Sequence, residues 1–133
     1  MYMDKIAVGP RAKGCIDINA PVKENLERVA KALDRKVGDL TVVLLDRERH
    51  YGLMDEIRSA GARIHLITDG DVNPIVNAGI EGTGVHMYIG RGGAPEGVLA
   101  AAAIKCLGGD MQARLCPEDE AQVKRCLIWA LAM

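Results

Sequence analysis

Gly90-Arg91-Gly92-Gly93-Ala94-Pro95-Glu96-Gly97 is the stretch on which the reading of this chain turns. It follows a run with strand character, Val85 to Ile89, and opens an alanine-rich run with helix character, Val98 to Leu107. Three glycines within four residues let a backbone turn tightly and come close to a ligand. Pro95 sits where helices accept proline, in the first turn. The stretch therefore predicts a strand, a tight glycine turn and a helix whose first N–H groups attract an anion. Glu96, an acid at that helix start, has two readings. It complements the helix dipole, or it holds a divalent metal that bridges to a bound phosphate.

Outward from this stretch the chain alternates in character. Met3 to Val8 reads as a strand stopped by Gly9-Pro10, and Cys15 to Ile18 as a short strand. Pro21 opens a helix over Val22 to Asp34, with Leu26, Val29, Ala30 and Leu33 forming one apolar stripe. Thr41 to Leu45 reads as a buried strand. Asp46 to Ala60 reads as a helix stopped by Gly61, and Arg63 to Ile67 as another strand. A turn at Asp69-Gly70-Asp71 leads into a short helix through Val76, limited to its first turn by Pro74. After the glycine stretch, Gly108-Gly109 stops the helix. Met111 to Leu115 is a last strand and Pro117 to Met133 a last helix. Such alternation indicates one α/β layered domain over residues 1–133, with a mainly parallel sheet flanked by helices.

Composition narrows the function. The chain has 133 residues, 49% of them apolar, and a net charge of −1. A near-neutral chain lacks the basic footprint of a nucleic-acid binder, and no apolar run approaches a membrane span. The amino terminus shows no signal peptide. Cys15, Cys106, Cys116 and Cys126 form no C-x-x-C pair, so a zinc site is not expected and the thiols fit a reduced, cytoplasmic setting. Phenylalanine is absent, which leaves the core to Val, Ile, Leu, Ala and Met. Tyr51 and Trp129 read as packing residues.

In parallel sheets, ligands gather beyond the carboxyl ends of the strands. Three polar loops belong there: Asp46-Arg47-Glu48-Arg49-His50, Asp69-Gly70-Asp71, and the glycine stretch with Glu96. Arg47 and Arg49 suit phosphate oxygens through the guanidinium fork, or form a solvated helix start. Asp69 and Asp71 suit sugar hydroxyls or a metal, or simply cap a turn. His50 is either an acid–base group or structural. His65 and His86, inside strands, receive no role. Together the loops fit an anionic, hydroxylated ligand with a metal nearby, such as a sugar phosphate.

These residues resemble the class II fructose-1,6-bisphosphatases, bacterial enzymes of gluconeogenesis, some of which also cleave sedoheptulose 1,7-bisphosphate. The resemblance rests on Tyr2 to Pro10, Asp46 to His50, Asp69 to Val72, Gly92 to Val98 and Gly108 to Leu115, and covers about Tyr2 to Cys126. It implies that Glu96 is a ligand to Mn²⁺ or Mg²⁺ and that Gly93 contacts substrate through its backbone. It further implies that Arg47, Glu48 and Arg49 hold the phosphate remote from the chemistry, that Asp69, Gly70 and Asp71 contact the sugar, and that Tyr2 is a further substrate contact. In the family, metals polarise the scissile phosphate and activate water. The resemblance is to a substrate-binding, C-terminal half. The N-terminal half, with most metal ligands and a D-P-x-D-G-[TS] block, has no counterpart in this sequence. The apolar tail Leu127 to Met133 also departs from the family, and Arg91 stands where an uncharged residue is common, as a phosphate contact or a solvated side chain.

The expected partner is a sugar bisphosphate, and the expected activity is metal-dependent hydrolysis of its 1-phosphate, with the chain inactive alone. A homo-oligomer, or a partner chain carrying the missing half, is expected to complete it. The alternatives are a non-catalytic sugar-phosphate-binding module and a self-associating truncated relative.

Overall fold

The computed structural model describes residues 1–70 and 72–132. Five strands form one sheet: β1 (Tyr2–Val8), β2 (Thr41–Leu45), β3 (Arg63–Ile67), β4 (Met87–Gly93) and β5 (Asp110–Cys116). Their order is β3-β2-β4-β1-β5. β2 runs parallel to β3 and β4, whereas β1 is antiparallel to both β4 and β5. Four strands thus share one direction and β1 alone opposes them, inside the sheet rather than at its edge. The helices are α1 (Val22–Ala32), α2 (Tyr51–Ser59), α3 (Asn73–Ala78), α4 (Ala94–Cys106) and α5 (Glu120–Ala132). The α/β layered architecture read from the sequence is the one observed.

Side-chain alternation divides the core. Ile6, Val8, Val42, Leu44, Met87 and Ile89 face one way, against Leu26 and Val29 of α1 and Met54 and Ile57 of α2. Ala7, Val43 and Tyr88 face the other way, against Ile75 and Ala78 of α3 and Ala100 and Ile104 of α4. Adjacent residues of a strand point to opposite faces, so a continuous apolar run such as Thr41–Leu45 means a strand covered on both sides. Each fully buried Leu or Val contributes roughly 1.5–3 kcal/mol.

Four sequence expectations are corrected. Cys15–Ile18 is not a strand. Side chains take its backbone groups instead: the Ile18 N–H donates to Gln112 (2.7 Å), Gln112 donates to the Ile16 carbonyl (3.0 Å), and the Asp17 N–H donates to Asn25 (2.9 Å). The helix expected from Asp46 starts only at Tyr51, because the Asp46 N–H donates to the Ile67 carbonyl (2.8 Å) and prolongs the β2–β3 ladder. Arg47 is extended, and Glu48–His50 forms one 3-10 turn. The glycine stretch is not a tight turn: β4 runs through it to Gly93, paired residue by residue with Tyr2–Lys5, and α4 begins at once at Ala94. Tyr51 is 55% exposed rather than packed.

α2 is followed by Gly61 in the left-handed conformation (φ 95°), the expected stop. Asp71 lies outside the described residues, as do Met133 and the side chain of Trp129. Among the described residues, no helix is long and apolar enough to cross a membrane.

Candidate functional site

The carboxyl ends of β2, β3 and β4 lie along one edge of the sheet because those strands are parallel. β1 runs the other way, so its first residue, Tyr2, reaches the same edge and pairs with Gly93. The expected site residues on β1, on β4 and in the loop after β2 are thereby brought together, with the Asp69-Gly70 turn after β3 at the far end of the edge.

The loop after β2 is stitched to β4 at Arg91. Arg49 donates from Nε and Nη2 to the Arg91 carbonyl, at 3.0 and 2.9 Å. Its guanidinium also lies 5.1 Å from the centre of the Tyr2 ring, in cation–π range. The Arg91 N–H donates to His50 Nε2 (2.9 Å), and His50 Nδ1 lies 2.8 Å from the Leu45 carbonyl. An N–H can only donate and a carbonyl can only accept, so His50 is a neutral ring with its proton on Nδ1. Both nitrogens are engaged and the ring is buried. His50 is thus the structural member of the two readings: it positions the loop. Arg47 donates to the Asp46 carbonyl (2.9 Å), and Glu48 is exposed. In the turn after β3, the Asp69 carboxylate accepts from the Gly70 N–H (2.9 Å), and both residues are exposed.

Glu96 occupies the first turn of α4 and is exposed. Its carboxylate folds back over Gly93: a Cβ added at Gly93 would collide with Glu96 Oε2. Glu96 is exposed and its carboxylate is the end of a flexible side chain, so it can turn away and this contact by itself does not demand glycine. A second close approach explains Gly97, where an added Cβ would lie 2.7 Å from Met3 Sδ and 3.0 Å from Lys5 Cε. Lys5 is fully buried beneath this turn of α4, a feature that alternation within Met3–Val8 did not disclose.

Arg91 is exposed to solvent, but its guanidinium is engaged by an ion pair on the sheet. Asp4, Arg91 and Arg114 are register partners on β1, β4 and β5. Asp4 bonds Arg91 Nε at 2.7 Å and Arg114 Nη2 at 3.1 Å. The Arg91 hydrogen bond, helped by Arg114 and opposed by partial burial, lowers the Asp4 carboxyl from 3.8 to about 2. Arg91 is correspondingly raised, first by its bond to Asp4. Only the cross-strand register signals this cluster, and register is not readable from one strand at a time.

Among the described residues, no three His, Cys, Asp or Glu side chains gather where they could hold an ion. Hard divalent cations take about six oxygen ligands, and Glu96 offers two at most. The described residues by themselves do not fit a metal centre.

This edge sets guanidinium groups, a backbone glycine and a helix start along one side of an α/β sheet, groups whose chemistry suits phosphate oxygens. The family model for bacterial fructose-1,6-bisphosphatase, glpX-encoded, matches residues 1–132, and the chain belongs to that family. It is 51% identical over 120 residues to a D-fructose 1,6-bisphosphatase class 2/sedoheptulose 1,7-bisphosphatase of Synechococcus sp. (strain JA-2-3B'a(2-13)), covering 90% of this chain and 35% of the relative. The protein of the same name from Gloeobacter violaceus is 50% identical over 115 residues, covering 86% and 33%. That of Synechococcus elongatus is 50% identical over 119 residues, covering 90% and 34%. The chain therefore spans about a third of the length of these curated relatives.

Proposed function

We propose that this chain is the sugar-bisphosphate-binding portion of a class II fructose-1,6-bisphosphatase, corresponding to the C-terminal part of its relatives. The ligand is fructose 1,6-bisphosphate or sedoheptulose 1,7-bisphosphate. Arg47 and Arg49, with Glu48 between them, hold the phosphate that is not cleaved. Asp69, Gly70 and Asp71 take the sugar hydroxyls, and Tyr2 and the Gly93 backbone close on the ligand. Glu96 contributes one carboxylate toward Mn²⁺ or Mg²⁺, and the other ligands come from residues not on this chain. The family reaction releases the 1-phosphate in cytoplasmic gluconeogenesis; the chain alone binds substrate weakly and does not turn it over.

The observation that carries this reading is the junction of Tyr2, Arg49 and Gly93 at one edge, with Arg49 tied to β4 before any ligand arrives. Holding a guanidinium in place beforehand lowers the ordering cost of binding.

The reading also includes a covering partner, either another copy or a chain with the missing ligands. α4 is apolar on nearly all sides, with Val98 65% and Leu99 64% exposed. A helix of that kind is normally buried.

The test is phosphate release from fructose 1,6-bisphosphate with Mn²⁺, by the chain and by Glu96→Ala, beside calorimetric binding of the same sugar. Binding without turnover is the expected result. Turnover that disappears with Glu96 would mean that copies of this chain complete the metal site among themselves. Absence of both binding and turnover would overturn the proposal.

A further inference from the structure

The opposite edge of the sheet holds a second basic region. A cavity of about 590 Å³ opens there, lined by residues that include Arg11, Arg35, Arg63, His86, Asp39 and Glu81. This volume is within the range of small-molecule sites. Thr41 and Arg63 are register partners at the starts of β2 and β3, and His86 precedes β4. The cavity thus lies at the amino ends of these strands. The five residues of β2 separate it from the substrate loops by roughly 16 Å.

His86 is fixed in this cavity by two bonds to one residue. Its backbone N–H donates to the Thr41 carbonyl, and its Nδ1 accepts from the Thr41 N–H, both at 2.9 Å. The ring proton is therefore on Nε2, a donor with no partner among the described residues. Burial, and then the charge of Arg35, lower its pKa, which keeps the ring neutral. Arg11 is already engaged, with Glu81 at 3.5 Å and the Leu33 carbonyl at 3.4 Å. Arg35 and Arg63 have no side-chain hydrogen bond or ion pair among the described residues. Three guanidinium groups against the two carboxylates of Asp39 and Glu81 leave one net positive charge.

We propose that this cavity is a second anion site, separate from the substrate loops, which takes a phosphate oxyanion: inorganic phosphate or the phosphate of a small monoester. Arg35 and Arg63 supply the forked donors that match phosphate oxygens, and His86 supplies a neutral N–H donor held in place by Thr41. The site stands independently of the reading given to the other edge.

The experiment is a titration of the full chain with inorganic phosphate and, separately, glycerol 3-phosphate, followed by the His86 ring and the Arg35 and Arg63 side-chain resonances. Sodium chloride at matched ionic strength is the control. Saturable shifts at all three residues are expected, unchanged in Arg47→Ala/Arg49→Ala and weakened at least tenfold in Arg35→Gln/Arg63→Gln. The tighter of the two probes then tells free phosphate from monoester. Shifts reproduced by chloride, shifts abolished by the Arg47/Arg49 variant, or no response at His86 would each overturn the proposal.

Discussion

At the carboxyl edge of the sheet the arginines are held by the protein, whereas at the amino edge two of three have no partner among the described residues. Arg49 spends two donors on the Arg91 carbonyl and stacks on Tyr2, and Arg91 and Arg114 share Asp4. Arg35 and Arg63 line an open cavity beside a histidine that is itself fixed. The first edge is ordered before binding, which favours geometric selectivity. The second is electrostatically open, and its occupancy is expected to respond more strongly to salt.

The largest expected effect on this contrast comes from His50→Ala. The substitution removes a buried ring and leaves the Arg91 N–H and the Leu45 carbonyl without their partner. Each orphaned buried group costs roughly 1–3 kcal/mol, so a loss of about 3 kcal/mol in urea unfolding is expected, with the His86 resonances unmoved. A loss below about 0.5 kcal/mol would mean that the stitch does not order the carboxyl edge.

Next in size is Arg47→Ala/Arg49→Ala. Removing charge-assisted bonds costs roughly 1.5–3 kcal/mol. Calorimetry should therefore show weaker fructose 1,6-bisphosphate binding, while the phosphate response at His86 persists. Unchanged affinity would remove the loop from the site.

The smallest effect is that of Asp4→Asn. The folded pKa of Asp4 lies below its ordinary value, so its contribution is complete above about pH 4 and is lost as pH falls toward 2. The parent chain should lose stability across that window, and Asp4→Asn should show a shallower decline. At pH 7, with both guanidinium groups about half exposed to solvent, the cluster is worth under about 1 kcal/mol. Identical acid limbs for parent and variant would show that the three-strand charge cluster does not contribute.

The elements legible in the sequence were those that local periodicity specifies. The stripe of Leu26, Val29 and Ala30 places α1, the apolar run Thr41–Leu45 places β2, and Gly61 marks the end of α2. The glycine stretch is ambiguous in sequence because glycine permits both a turn and a strand. Pairing with Tyr2–Lys5, nearly ninety residues away in sequence, decides for the strand. Cys15–Ile18 failed for the converse reason: its apolar pattern suits a strand, but Gln112 and Asn25 claim its backbone.

The site divides in the same way. Arg47, Arg49, Asp69, Gly93 and Glu96 stand out by residue type and by position after strands. The roles of His50 and Arg91, and the presence of His86, Lys5, Asp4 and Arg114 in structured clusters, are not legible in the sequence, because each owes its character to a partner distant along the chain. Sequence by itself determined the layers, the helix stops and the family, since apolar period, glycine positions and motif blocks are local properties. Tertiary structure alone decided that β1 runs against its neighbours, and hence that Tyr2 meets Gly93. It also decided which arginines are engaged, because strand register and burial exist only once distant segments have packed.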